Sequence, residues 1–239
     1  MEYSTDLMCF SFSCSQIGED KTKLLNYSNK ILLPSSVLST LNDEDIMETP
    51  FVFRVKNKET QYGMVCGVHE FTAPPGVIHI SYGLMAQMNI NEGDTITIEL
   101  VQPPKGEYIK IKPHQTEFIE LNDPKSILEK HMSENYPVIT KGQSISIKYE
   151  GTGKVYHIDI VETGPSEVIL TLNCDLNVDF DEPYDYQEVM TQRKKKKEED
   201  EQQRHEADMM SMRNEKIKQH KQIVGFVPFS GKGNILGSK

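Results

Sequence analysis

The stretch KILLPSSVLSTL, residues 30–41, returns in altered form 47 residues later as VIHISYGLMAQM, residues 77–88. Ile31, Leu32, Leu33 and Pro34 align with Ile78, His79, Ile80 and Ser81, and Val37, Leu38 and Leu41 align with Leu84, Met85 and Met88. In each copy an apolar run meets a proline or a capping serine, and apolar residues at helical spacing follow. Each copy therefore predicts a strand entering a short helix, over 34–41 and 81–88, with another strand after it. Two copies are too few for a solenoid. Two strand–helix–strand units at one period instead predict a pseudo-symmetric β-barrel built from interlocked halves.

Outward from this repeat, the first 180 residues are dominated by short strand-like runs. CFSFSC (9–14), FVFRV (51–55), TITIEL (95–100), YIKIK (108–112), SISIKY (144–149), YHIDIV (156–161) and EVILTL (167–172) mostly alternate apolar with polar residues and are rich in β-branched and aromatic types. PPG at 74–76, NEGD at 91–94, GTG at 151–153 and GPS at 164–166 mark turns between them. A longer helix is predicted over 123–135, with Asp123 as N-cap, Pro124 in the first turn, and Ile127, Leu128 and Met132 as its apolar stripe. QPPKGE (102–107) reads as a linker, which divides the ordered part into 1–104 and 105–186.

The chain has 239 residues, a net charge of −10 and 37% hydrophobic residues, enough for one large or two modest cores. The charge is uneven: residues 1–192 hold 14 Lys/Arg against 29 Asp/Glu, and residues 193–239 hold 12 against 7. An acidic body argues against nucleic acid as the main partner, because phosphate binding needs a basic surface. Cysteines 9, 14, 66 and 174 form no C-x-x-C pair, and the N-terminus lacks the pattern of a signal peptide. Both point to reduced thiols in the cytosol or nucleus. No segment carries the roughly 18 apolar residues that a membrane-spanning helix needs.

Motifs for chemistry are sparse, and neither a cofactor nor a metal is expected. HEFTA (69–73) lacks the second histidine of a zinc-protease helix. In CDLNVDFDEPYDYQE (174–188), Asp175, Asn177 and Asp179 have the spacing of the first calcium ligands of an EF-hand loop. Phe180 stands where that loop needs glycine, and Tyr186 where it needs glutamate. This run reads as a polar segment leaving the domain, or as an acidic patch for a partner. Beyond Tyr186 the pattern changes to a charged spacer over 187–222 without a sustained apolar face. Lys194–Glu198, Lys195–Glu199, Lys196–Asp200 and Lys197–Glu201 lie four apart, which fits a solvated helix, and disorder fits the composition equally. RKKKK (193–197) fits a charge-balanced helix or coil better than a nuclear localisation signal.

The final segment, 223–239, contains GFVPFSGKGNILG (225–237). A phosphate-binding loop would need glycine at Phe226 and a hydroxyl after Lys232, where Gly233 stands. Large apolar residues crowd this piece, and they lower solubility unless something covers them. Glycines let backbones approach closely while aromatic anchors fill pockets. The segment therefore reads as an extended docking peptide.

FVPFSGKGNILG resembles the Shp box, F-x-G-x-G-x-x-L, carried by Phe229, Gly231, Gly233 and Leu236, with Phe226 and Ile235 as supports. Together with YSTDLMCFSFS, KILLPSSVLSTL, PFVFRVKN, CGVHEF, DPKSILEKHMSEN and LNCDLNVDFDEP, it makes the chain similar to the ubiquitin fusion degradation protein 1 family from about residue 3 onward. The resemblance implies a mainly β fold with α+β parts, a double-psi β-barrel followed by a smaller α/β roll. It implies a non-enzymatic adaptor that binds polyubiquitin chains through its folded body. It also implies docking on the N-terminal domain of the AAA+ ATPase valosin-containing protein, called Cdc48 in fungi, for ubiquitin-dependent and ER-associated degradation. The expected setting is cytoplasmic and nuclear, with recruitment to the ER surface. The family's heterodimer partner, the nuclear protein localisation 4 homologue, binds a segment downstream of the box that is not read in this sequence. No residue is marked as the ubiquitin contact. Two other readings stand beside this one: an enzyme on a double-psi barrel, for which Asp43, Glu44 and Asp45 are the nearest carboxylate cluster, and an anionic-membrane scaffold acting through RKKKK.

Overall fold

Ile31 and Ile78 occupy matching places in a closed barrel, because the repeat that contains them is a repeat of structure. The computed structural model describes residues 3–43 and 50–224. The chain passes through β1 (Ser4–Ser11), a 3-10 turn (Phe12–Cys14), α1 (Glu19–Leu25), β2 (Lys30–Pro34), α2 (Ser35–Asp43), β3 (Val52–Asn57), β4 (Gly63–Ala73), β5 (Val77–Ile80), α3 (Tyr82–Met88) and β6 (Thr95–Leu100). The six strands close in the order β1-β5-β2-β4-β3-β6. Exchanging β1, β2 and β3 for β4, β5 and β6 preserves both this order and the parallel or antiparallel sense of every pairing. Leu32 pairs with His79, its own counterpart in the repeat, so a pseudo-twofold axis passes between them. The order is compatible with a double-psi barrel.

Inward residues alternate along the strands, as a closed sheet requires. Ile31, Leu33, Phe53, Val55, Ile78 and Ile80 are fully buried in one cluster, into which α2 inserts Val37 and Leu41 and α3 inserts Leu84, Met85 and Met88. Each such side chain stabilises the fold by about 1.5–3 kcal/mol through burial. Ser81 caps α3 by accepting the Leu84 N–H at 3.3 Å. At the other end of α3, the Asn57 amide donates to the carbonyls of Met88 (3.1 Å) and Asn89 (2.9 Å).

The chain continues through β7 (Tyr108–Pro113), α4 (Thr116–Ile119), α5 (Pro124–Asn135), β8 (Val138–Thr140), β9 (Ser144–Lys148), β10 (Val155–Gly164), β11 (Val168–Leu170) and β12 (Asn177–Phe180). A four-stranded sheet in the order β12-β7-β10-β9 lies beside a β11-β8 pair. Leu128 and Met132 of α5 pack on Ile109, Ile111, Ile145 and Ile158 of that sheet. Asp123 caps α5 at Ser126 N (3.1 Å), as its position before Pro124 predicts.

Three segments differ from the expectations above. The first strand begins at Ser4 and ends at Ser11, and Phe12–Cys14 leaves it in a 3-10 turn because Phe12 is buried outside the barrel with Leu25, Leu32 and Ala73. The longest strand, β4, has no alternating pattern in sequence. Met64 and Cys66 face the barrel core, Val65 packs against Val138, and Gly67 abuts Pro137, so both faces of this stretch are buried and the period of two disappears. The acidic run 174–188 does not simply leave the domain: Asn177–Phe180 forms β12, parallel to β7.

Residues up to Tyr186 make one compact unit. Its barrel and sheet parts are joined closely, and the intervening QPPKGE is pinned by Leu170 N to Pro104 O (2.9 Å) and Gly106 N to Leu170 O (2.8 Å). Val52 and Val65 meet Val138, flanked by Val101, Val168 and Leu170. The Gln87 amide donates to the Ser144 carbonyl and accepts the Ser144 N–H, both at 3.0 Å. Asn29 donates to the Val138 carbonyl, and Lys30 donates to that of Glu134 at 2.5 Å. A Cβ on Gly67 would overlap the Pro137 ring.

A separate element, α6, covers Tyr186–Val224, 39 residues. At 1.5 Å per residue it is a rod of roughly 58 Å. Its lysines precede their acidic partners in the chain, the weaker orientation for pairs four apart. Met209, Met210, Met212 and Ile217 are exposed on it.

Candidate functional site

The predicted docking residues Phe226, Phe229, Gly231, Gly233, Ile235 and Leu236 lie outside the described residues, as do Glu44 and Asp45 of the carboxylate cluster. Asp43 is the last residue of α2. RKKKK is an exposed part of α6, and HEFTA is the end of strand β4. What the described body offers is a cavity on the outer wall of the barrel.

That cavity arises where the pseudo-symmetry breaks. β4 reaches β5 through three residues, 74–76, whereas β1 reaches β2 through eighteen, 12–29. The long connection folds back over the barrel wall as the 3-10 turn and α1. Phe12, Leu25, Leu32 and Ala73 form a satellite apolar cluster beneath it, with Ile17 at its edge. Beside the cluster remains a cavity of about 750 Å³, lined among others by Ile17, Leu32, Ala73, Pro74 and His79. Glu19, Asp20, Lys21 and Glu70 also line it.

His79 points outward because its neighbours Ile78 and Ile80 point into the core. It is only 3% exposed. Its Nδ1 lies 3.0 Å from the Ser11 carbonyl, which can only accept, so Nδ1 carries the proton and Nε2 keeps a lone pair. Burial holds its pKa below the ordinary histidine value, against the opposing pull of the Ser11 carbonyl and Glu92. His79 is therefore neutral at pH 7 and offers an acceptor. Around it, Lys21 Nζ lies 3.3 Å from Glu70, and His69 Nε2 lies 3.6 Å from the same carboxylate.

A second polar cluster sits on the open face of the four-stranded sheet. Asp159 accepts from Ser144, from His114 Nε2 at 2.9 Å and from Tyr184 at 3.0 Å. Burial raises its pKa, but those hydrogen bonds outweigh burial and the net shift is downward. Lys112 lies 4.4 Å from the centre of the Tyr184 ring. In a nucleophilic triad a histidine stands between serine and carboxylate; here Ser144 donates to Asp159 directly. The cluster ties the segment after β12 to the sheet. Thr116 ties the same segment to α4 by donating its N–H to Asp185 at 2.7 Å and its hydroxyl at 2.6 Å. Burial pushes the thiols of Cys9 and Cys66 up to about 12, which makes them inert at neutral pH.

Neither cluster was read from sequence. Asp159, His114 and Tyr184 meet through pairing of β10 with β7, which no spacing reports. His79 did leave a trace: it is the polar residue aligned with Leu32, between the apolar pairs Ile31/Ile78 and Leu33/Ile80.

Comparison with known proteins places this geometry. Residues 3–104 match the family model for ubiquitin fusion degradation protein UFD1, N-terminal subdomain 1, and residues 105–183 match that for subdomain 2. The ubiquitin recognition factor in ER-associated degradation protein 1 of Homo sapiens is 31% identical over 237 residues, covering 99% of this chain and 72% of that protein. The ubiquitin fusion degradation protein 1 homolog of Caenorhabditis elegans is 36% identical over 170 residues, 71% of this chain and 48% of its own length. The Saccharomyces cerevisiae ubiquitin fusion degradation protein 1 is 32% identical over 166 residues, 68% of this chain and 45% of its own. With the repeat, the barrel and the sheet accounted for, the chain belongs to the ubiquitin fusion degradation protein 1 family.

Proposed function

We propose that this protein is a non-enzymatic adaptor that binds polyubiquitinated proteins through its body and delivers them to the valosin-containing protein/Cdc48 unfoldase. The observation that carries this reading is the likeness along 99% of the chain to a relative named as a ubiquitin recognition factor in ER-associated degradation. Phe229, Gly231, Gly233 and Leu236 dock on the ATPase's N-terminal domain, supported by Phe226 and Ile235. α6 sets the reach. A flexible chain of 39 residues would average about 34 Å end to end, against roughly 58 Å for the helix. Tethering raises the concentration of cargo at the motor, so weak individual contacts suffice. The adaptor works in the cytoplasm and nucleus and is recruited to the ER surface.

The test is calorimetric titration of the full chain against the isolated N-terminal domain of the ATPase. Phe229→Ala and Leu236→Ala should each weaken binding about tenfold or more, with the melting temperature and tetraubiquitin binding unchanged. Equal affinity of both variants and the parent chain would remove the docking assignment. Loss of ATPase binding in a chain that never bound tetraubiquitin would remove the adaptor assignment instead.

A further inference from the structure

We propose that the exposed face of α6 centred on Met209 and Met210 is a homodimer interface, which pairs antiparallel with the same face of a second copy of this chain. Ten large apolar side chains are exposed among the described residues, and four of them, Met209, Met210, Met212 and Ile217, fall within nine positions of this one helix. Scattered singly they would need no partner, but gathered on a solvated rod they form a patch. Methionine side chains are flexible and polarisable, which suits a contact between two helices. The charges decide what covers the patch. Seven residues apart, Glu206 and Arg213 lie almost in line along the helix, with Met209 and Met210 between them on either side of that line. Neither has an opposite charge three or four positions away in its own helix. Those places hold glutamine and methionine around Glu206, and methionine, Lys216 and Ile217 around Arg213. Both charges are exposed, so each can take an opposite charge from outside the helix.

A second copy supplies both partners. The midpoint between Met209 and Met210 is also the midpoint between Glu206 and Arg213. A twofold axis through it lays Glu206 against Arg213 of the second copy, and Arg213 against its Glu206, with each methionine next to its own counterpart. The same axis brings the acidic run 198–201 alongside 218–221 of the second copy, which carries Lys218, His220 and Lys221. Over 195–224 no residue meets a like charge at its mirrored place. A parallel pairing would instead set Glu206 against Glu206 and Arg213 against Arg213, which is repulsive. The interface is independent of the ubiquitin and ATPase assignments. Pairing lets two bodies act together on a multivalent partner.

The experiment is sedimentation equilibrium of the full chain over a concentration series, in which the parent chain should show a monomer–dimer equilibrium. Glu206→Arg and Arg213→Glu should each weaken dimerisation about tenfold or more, because either change sets like charges together twice. The chain that carries both changes restores opposite charges and should dimerise within about threefold of the parent. Met209→Gln combined with Met210→Gln should weaken dimerisation about tenfold, while circular dichroism shows the helix retained, since glutamine and methionine have similar helix propensity. Phe229→Ala should have no effect, which separates the interface from the docking tail. A parent chain that stays monomeric at about 1 mM, a dimer indifferent to both single reversals, or a double reversal no stronger than the single ones would each overturn the proposal.

Discussion

Residues 30–43 and 77–88 carry the same strand–helix unit, yet their surroundings differ on the outer wall of the barrel. Through the repeat and the strand registers, Met8 and Gly67 are counterparts: Met8 pairs with Val77, and Gly67 pairs with Lys30, 47 residues earlier than Val77. Met8 is 49% exposed, whereas Gly67 lies against Pro137 of the neighbouring sheet part. One wall of the barrel is free and the other is covered. A closed barrel can remain symmetric inside, where twelve inward positions fill one core, while its outside is specialised one face at a time. The covered face needed a residue without a side chain. The 12–29 connection covers a further patch and leaves the cavity beside it.

This comparison can be broken by substitution, and the largest effect is expected at the covered face. Gly67→Val should destabilise the protein by about 1–3 kcal/mol through overpacking against Pro137. Urea denaturation should show it as a lower midpoint with an unchanged slope. A loss below about 0.5 kcal/mol would mean that the covered face tolerates a side chain. Helix entry should come next. Ser81→Ala removes the cap of α3 and should cost about 1 kcal/mol. In the other half Pro34 occupies this place and presets φ with no hydroxyl, so that half has no cap bond there to lose. Thermal melting followed by circular dichroism reads the difference. The smallest effect belongs to the free face. Met8→Ser should stay within about 0.5 kcal/mol of the parent chain, and a larger loss in the same melt would show that Met8 is covered after all.

Among the elements, legibility followed the number of faces that each strand shows to water. TITIEL and YIKIK become β6 and β7 with ends at or within one residue of the alternation, because each buries one side only. GMVCGVHEFTA becomes β4 without such a pattern, because it touches the core on one side and another part of the protein on the other. NVDF becomes β12 despite Asp179, since pairing with β7 satisfies its backbone while Asn177 and Asp179 stay exposed. The charged stretch after Tyr186 was compatible with helix or coil, and the structure has it as the helix α6. A solvated helix and a solvated coil ask for the same side chains.

From sequence alone came the repeat, the barrel built from two halves, the capped helix at 123–135 and the family, since each rests on residues adjacent in the chain or at one constant offset. The closing order of the strands, the burial of β4 on both sides, the Asp159 hub and the His79 cavity came only with the tertiary structure. Each of these depends on which strand lies beside which. Register and packing join residues such as His114 and Asp159, 45 positions apart, and local spacing carries no record of such a meeting.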